Sequence, residues 1–149
     1  MEAVLTTESK RAINRTVLDY DLLVRSYEDP ENKLYRIREL GGLVLIRKQH
    51  RAFHPNGPQK VLKLSPNVFT VSRTSPEGDE HILTLTNVAN RVSEIEVPLD
   101  EVGIRDTRWY DLVRGREWSA EGSKLLIRLE PYDVLWLKPV SERHKDPVS

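Results

Sequence analysis

A chain of 149 residues has room for one domain, or for one small domain with an appendage, and is too short for a (β/α)8 barrel of about 250 residues. Lys and Arg number 23 and so do Asp and Glu, so no net basic field exists to hold nucleic acid or an anionic membrane, and no stretch reaches the about 20 apolar residues of a membrane span. Zero cysteines exclude disulfides, thiolate catalysis and cysteine-type structural zinc. The opening Met1–Thr7 has neither a basic nor an apolar targeting run, so a soluble, cytoplasmic protein is expected.

In chain order, Val17–Tyr27 predicts a short helix, with Asp19 or Asp21 as its N-cap and Pro30 closing it. Asp29-Pro30-Glu31 repeats a start signal, and a second helix is expected from Pro30 to His50. Gly41-Gly42 opposes it, at about 1 kcal/mol for each glycine, and Leu43–Ile46 also suits a buried strand. The spacing of Leu34, Ile37, Leu40 and Val44, with Arg47, Lys48 and His50 at the C-terminal end, favours the helix.

The Pro/Gly cluster His54–Pro58 marks a boundary, beyond which short period-two apolar runs alternate with turns. Strands are expected at Val61–Leu64, Val68–Thr74, His81–Thr86, Ser93–Leu99, Trp109–Leu112, Lys124–Leu129 and Val134–Leu137, with a short one near Arg116–Trp118. Pro98 points to an edge strand, and Ser75–Asp79 reads as a hairpin turn. The expected class is α+β: two N-terminal helices followed by an all-β antiparallel Greek-key sandwich. The division is residues 1–55, 56–139 and a disordered tail at 140–149.

Chemistry is sparse at this level. His50, His54, His81 and His144 lack the i, i+4 pairing of a helical zinc motif and read as solvated or loop-capping residues. No phosphate-cradling loop or nucleophile elbow is present, so neither metal nor cofactor is expected. Trp109 and Trp118 are candidates for a sugar-stacking face, against the alternative that both are core. Lys10–Arg15 is the one dense basic cluster, and arginine's fork can hold phosphate or carboxylate.

The ending Leu129-Glu-Pro-Tyr-Asp-Val-Leu-Trp-Leu137 resembles the closing strands of the C-terminal β-domain of family 13 glycoside hydrolases, the α-amylase superfamily. Arg11-Ala-Ile-Asn-Arg15, Arg51-Ala-Phe-His-Pro-Asn-Gly-Pro-Gln59 and Phe69–Gly78 resemble the sucrose phosphorylase-like branch, and Asn87-Val88 and Tyr110–Gly115 fit the same domain. The resemblance implies that residues 1–55 correspond to the end of a (β/α)8 barrel and that residues from about 60 form the β-domain. It also implies that the aspartate nucleophile, the glutamate acid/base and the second aspartate of the family lie N-terminal to Met1. Without nucleophile and acid/base the retaining double displacement has no route, so the chain by itself is expected to be noncatalytic. By the same resemblance, Arg11 matches a position that reaches toward the acceptor or phosphate, and Asn14 and Arg15 match the string beside it. Helix faces built for a barrel would need other cover, from self-association or from a separate barrel chain. A stand-alone carbohydrate-binding module is the competing expectation.

Overall fold

A computed structural model of the chain describes residues 19–31 and 35–145. Two compact units are distinguished, residues 1–42 and 43–149, and the division falls at the glycine pair within a helix. In the first unit, helix α1 (Tyr20–Glu28) is capped by Asp19, whose Oδ1 accepts from the N–H groups of Asp21 at 3.0 Å and Leu22 at 3.2 Å. Asp19, rather than Asp21, therefore satisfies the open donors of the first turn. Asp29 and Pro30 end the helix, and Asp29 turns its Oδ1 onto the N–H of Glu31. No residue of α1 is buried.

Helix α2 (Tyr35–Gln49) resolves the conflict at Leu43–Ile46 in favour of helix. A methyl at Gly41 or Gly42 would meet nothing within 4 Å, so packing does not require either glycine. Leu40 and Val44 are exposed, whereas Leu34 lies outside the described residues.

The second unit is β-rich and antiparallel throughout. Its strands are β1 (Gln59–Leu62), β2 (Val68–Thr74), β3 (His81–Asn87), β4 (Ser93–Pro98), β5 (Arg108–Asp111), β6 (Glu117–Ser119), β7 (Lys124–Leu129) and β8 (Val134–Pro139). Six of them form one sheet in the order β1-β2-β3-β8-β5-β6, while β4 and β7 pair as a separate ribbon. The chain leaves the large sheet after β3, returns for β5 and β6, leaves again for β7 and closes with β8 between β3 and β5. Pro98 ends β4, a strand paired on one side only, and Leu99 opens a one-turn helix α3 (Leu99–Val102) instead of continuing the strand.

Alternation puts one apolar row of each sheet into a shared core. Val68, Leu83, Leu85, Trp109, Leu135 and Leu137 of the large sheet meet Ile95, Val97, Leu125, Ile127 and Leu129 of the ribbon, all buried. On the opposite face of the large sheet, Ile82 and Trp136 meet Ala52 and Phe53 of a 3-10 turn (Arg51–Phe53) in a second small core. Phe53 and Trp136 stack with centroids 4.6 Å apart, and the guanidinium groups of Arg47 and Arg73 lie over Phe53.

The segment at 51–58 thus packs with the β-rich unit. Gly57 sits against the carbonyl of Thr74, which a Cβ would strike, beside the Thr74 N–H to Pro58 carbonyl bond of 2.9 Å. Gly57→Ala is expected to lower stability by about 1–3 kcal/mol in a urea titration, because the obstacle is backbone and cannot rotate away. The tail expected to be disordered from Val140 instead forms a 3-10 helix through Lys145. It is held by Glu142, which accepts from both N–H and Nδ1 of His81 at 2.7 Å, and by the Ser141 N–H donating to Asp106 at 3.1 Å. Burial pushes the Asp106 carboxyl up, but hydrogen bonds from Ser141 and from the Arg108 N–H outweigh it and hold the group below its usual range.

Candidate functional site

Among the described residues, the densest polar cluster is centred on Glu80. The turn Ser75–Asp79 places it: Gly78 takes φ +77°, and the Ser75 hydroxyl accepts from the N–H groups of Asp79 and Glu80, both at 3.0 Å. The Glu80 carboxylate then accepts from His50 Nδ1 at 2.7 Å, the Ala52 N–H at 2.8 Å and Lys138 Nζ at 3.1 Å. Lys138 is 2% exposed and Glu80 9%. Burial pushes this carboxyl up, yet the bonds from His50, Ala52 and Lys138 outweigh it and hold it down at about 2. A base held near 2 with both oxygens engaged has neither the basicity nor the access for proton transfer. The cluster is therefore a structural clamp between the 50–52 segment and strands β3 and β8.

Asp111 is the other buried acid. Burial pushes its carboxyl up, against hydrogen bonds from Val113, Trp136 and Arg114. Its Oδ1 accepts from the Val113 N–H at 3.0 Å and fixes the turn that leads to β6. At 0% exposure it reaches no substrate. Asp133, also buried, is paired with Arg114.

The two tryptophans separate. Trp109 is 0% exposed in the shared core, with Nε1 donating to the Asp106 carbonyl at 3.0 Å, which corrects its expected place on a sugar-stacking face. Trp118 sits directly opposite it in register, but on the sheet's last strand, and is half-buried. There it helps line a cavity of about 450 Å3 with Glu94, Ile95, Glu96, Leu126, Ile127 and Arg128. Arg11, Asn14 and Arg15 lie outside the described residues.

Sequence reasoning missed His50, read as solvated or loop-capping, and Lys138, which stands in an apolar strand. Their common partner is 30 residues from one and 58 from the other, so no local pattern links them. No group of three or more His, Cys, Asp or Glu among the described residues could hold a metal ion. No described helix is long and apolar enough to cross a membrane.

No family model matches the chain. A glucosylglycerate phosphorylase of Spirochaeta thermophila is 33% identical over 156 aligned residues, covering 95% of this chain and 25% of that protein. The glucosylglycerate phosphorylase of Escherichia coli is 26% identical over 129 residues, covering 86% of this chain and 21% of that one. Among solved structures, the α-amylase of Geobacillus thermoleovorans in complex with acarbose has the same fold over 74% of this chain and 24% of its own, with a TM-score of 0.62 at 12% identity. The chain thus spans about a quarter of the length of the curated relatives it matches, a C-terminal part of them.

Proposed function

We propose that this chain, a homologue of the C-terminal part of family 13 glycoside hydrolases and phosphorylases of the glucosylglycerate phosphorylase kind, serves as a noncatalytic part of such an enzyme. The observation that carries the reading is the 33% identity along 95% of this chain against only 25% of the relative. In it, the β-rich unit is the Greek-key domain that buttresses a (β/α)8 barrel, and residues 1–55 continue the end of that barrel. By that resemblance Arg11 is the residue matched to the acceptor or phosphate side, and Asn14 and Arg15 belong to the same matched string. The parent reaction is a retaining transfer of a glucosyl group from sucrose or a related α-glucoside to phosphate. The relatives' names favour glucosylglycerate as that donor. The enzyme works in the cytoplasm.

The apolar residues left at the surface support a partner for the N-terminal helices. Tyr20 and Leu22 of α1 are 75% and 65% exposed, and Leu40 and Leu45 of α2 are 58% and 62% exposed. The cover in this reading is a separate barrel chain or, failing that, a second copy. Light scattering after size exclusion is expected to show a mass above the 17.3 kDa monomer for the isolated chain. Adding the chain to a glucosylglycerate phosphorylase truncated before its matching C-terminal quarter is expected to form a complex and to raise the truncated enzyme's activity and midpoint of thermal unfolding. A truncated enzyme that neither binds the chain nor changes in its presence overturns the buttressing role.

A further inference from the structure

Gly41-Gly42 stands in the interior of α2, where neither structural demand that selects glycine applies. Neither residue takes a positive φ, and a Cβ at either would meet nothing within 4 Å. Each glycine nevertheless weights the balance against helix by about fivefold relative to alanine, and the pair by about twentyfold. Pairs of small residues such as these are also among the few recurrent causes of sharp bends in helices.

The pair separates two unlike halves of the helix. On its C-terminal side, Leu43 and Ile46 are half-buried, and the end of the helix is tied down. The Arg47 guanidinium lies over the Phe53 ring, and His50, the next residue beyond the helix, is bonded to Glu80 at 2.7 Å. On its N-terminal side, Arg38, Glu39 and Leu40 are all exposed. The boundary between the two compact units falls at the same place, between Gly42 and Leu43. Tyr35–Leu40 and Leu43–Gln49 are each shorter than the about 12 residues an isolated helix needs, so nothing within α2 itself obliges the halves to stay collinear.

We propose that Gly41-Gly42 is a hinge, at which α2 opens into two shorter helices and lets the N-terminal unit change orientation while the β-rich unit keeps its fold and its hold on residues 43–50. The continuous helix is then one of two populated states. The backbone groups that opening uncovers lie where Leu40, Gly41, Gly42, Val44 and Leu45 are all exposed, so water takes over their hydrogen bonds. With the β-rich unit fixed, the exposed Tyr20, Leu22 and Leu40 are free to meet whatever covers them.

The chain has no cysteine, so two introduced ones carry spin labels alone. In the full chain, Arg25→Cys with Lys63→Cys spans the glycine pair, and Lys48→Cys with Lys63→Cys spans only residues on its C-terminal side. All three side chains are exposed, and dilution into unlabelled chain removes distances between copies. Double electron–electron resonance is expected to give a broad distance distribution for the first labelled pair and a narrow one for the second. Adding Gly41→Ala and Gly42→Ala is expected to narrow the first and leave the second unchanged. The same two alanines are expected to slow amide hydrogen exchange across residues 42–46 by about twentyfold. A first distribution as narrow as the second in the parent, breadth that survives both alanines, or exchange that the alanines leave unchanged would each overturn the hinge. None of these outcomes bears on the buttressing role, which is read from activity and unfolding of the truncated relative.

Discussion

Glu80→Ala is expected to destabilise the β-rich unit by about 3–5 kcal/mol, the range found when one partner of a buried ion pair is removed. The cause is Lys138, 2% exposed, whose ammonium would keep its burial and lose the carboxylate 3.1 Å away. His50 and the Ala52 N–H lose their acceptor as well, so the 50–53 segment and its Phe53–Trp136 stack would loosen first. Urea unfolding followed by tryptophan fluorescence reads the loss, because Trp136 lies in that small core. Glu80→Gln should cost less, since an amide oxygen can still accept from Ala52. A variant within 0.5 kcal/mol of the parent, the spread of ordinary surface substitutions, would contradict the clamp.

The same group sets a pH dependence of definite sign. Its carboxyl is held at about 2 in the fold against an ordinary 4.5, so the folded state favours the ionised form by about 3 kcal/mol. A depressed acid contributes its full stabilisation above the unfolded value, near 4.5, and loses it as the pH falls toward about 2. Stability measured from pH 6 down to pH 2 should therefore decline, and Glu80→Gln should flatten the part of that decline below pH 4.5. An unaltered slope in the variant would locate the acid sensitivity elsewhere.

Trp109→Ala is the second large effect, with an expected cost of about 3–5 kcal/mol for a buried aromatic truncated to a methyl. The side chain is 0% exposed among Leu, Ile and Val from both sheets, and its Nε1–H satisfies the Asp106 carbonyl. Removing it leaves a cavity between layers whose backbones are fixed by ladder bonds on β6 and β8, so collapse can recover little of the loss. Thermal unfolding by calorimetry should show a midpoint lower by many degrees. A midpoint within two degrees of the parent would mean that Trp109 is not core.

Trp109 and Trp118 also show where the sequence stops being informative. Both are tryptophans on short strands of the same hairpin, paired in register and on the same face of the sheet. What separates them is strand order: β5 has β8 on its other side and β6 has no strand there. Period-two alternation fixes which face a residue takes and carries no information on how far the sheet extends beyond it. The alternation of Ile95 and Val97 in β4 was legible for that reason, as were a helix cap at Asp19 or Asp21 and the Ser75–Asp79 turn, all of them local patterns.

The Glu80 clamp was not legible, because His50, Ala52 and Lys138 reach it from separate elements and each looks ordinary in its own segment. His50 follows a helix whose end it was expected to complement, and Lys138 interrupts an apolar strand as any surface lysine would. The 3-10 helix at Val140–Lys145 is hidden for a related reason: its polar composition suggests fraying, while Glu142 and Ser141 are anchored by His81 and Asp106 from distant positions. The boundary expected at His54–Pro58 follows the punctuation of Pro and Gly, while the packing of Ala52 and Phe53 on Ile82 and Trp136 brings that segment into the β-rich unit.

The noncatalytic reading is tested most directly by the reaction it denies to this chain. The purified full chain is incubated with glucosylglycerate, and in parallel with sucrose, in the presence of phosphate, and glucose 1-phosphate is followed by a coupled assay. The account predicts no product above the protein-free control at any chain concentration. Saturable, phosphate-dependent formation of glucose 1-phosphate that co-purifies with the chain would contradict it.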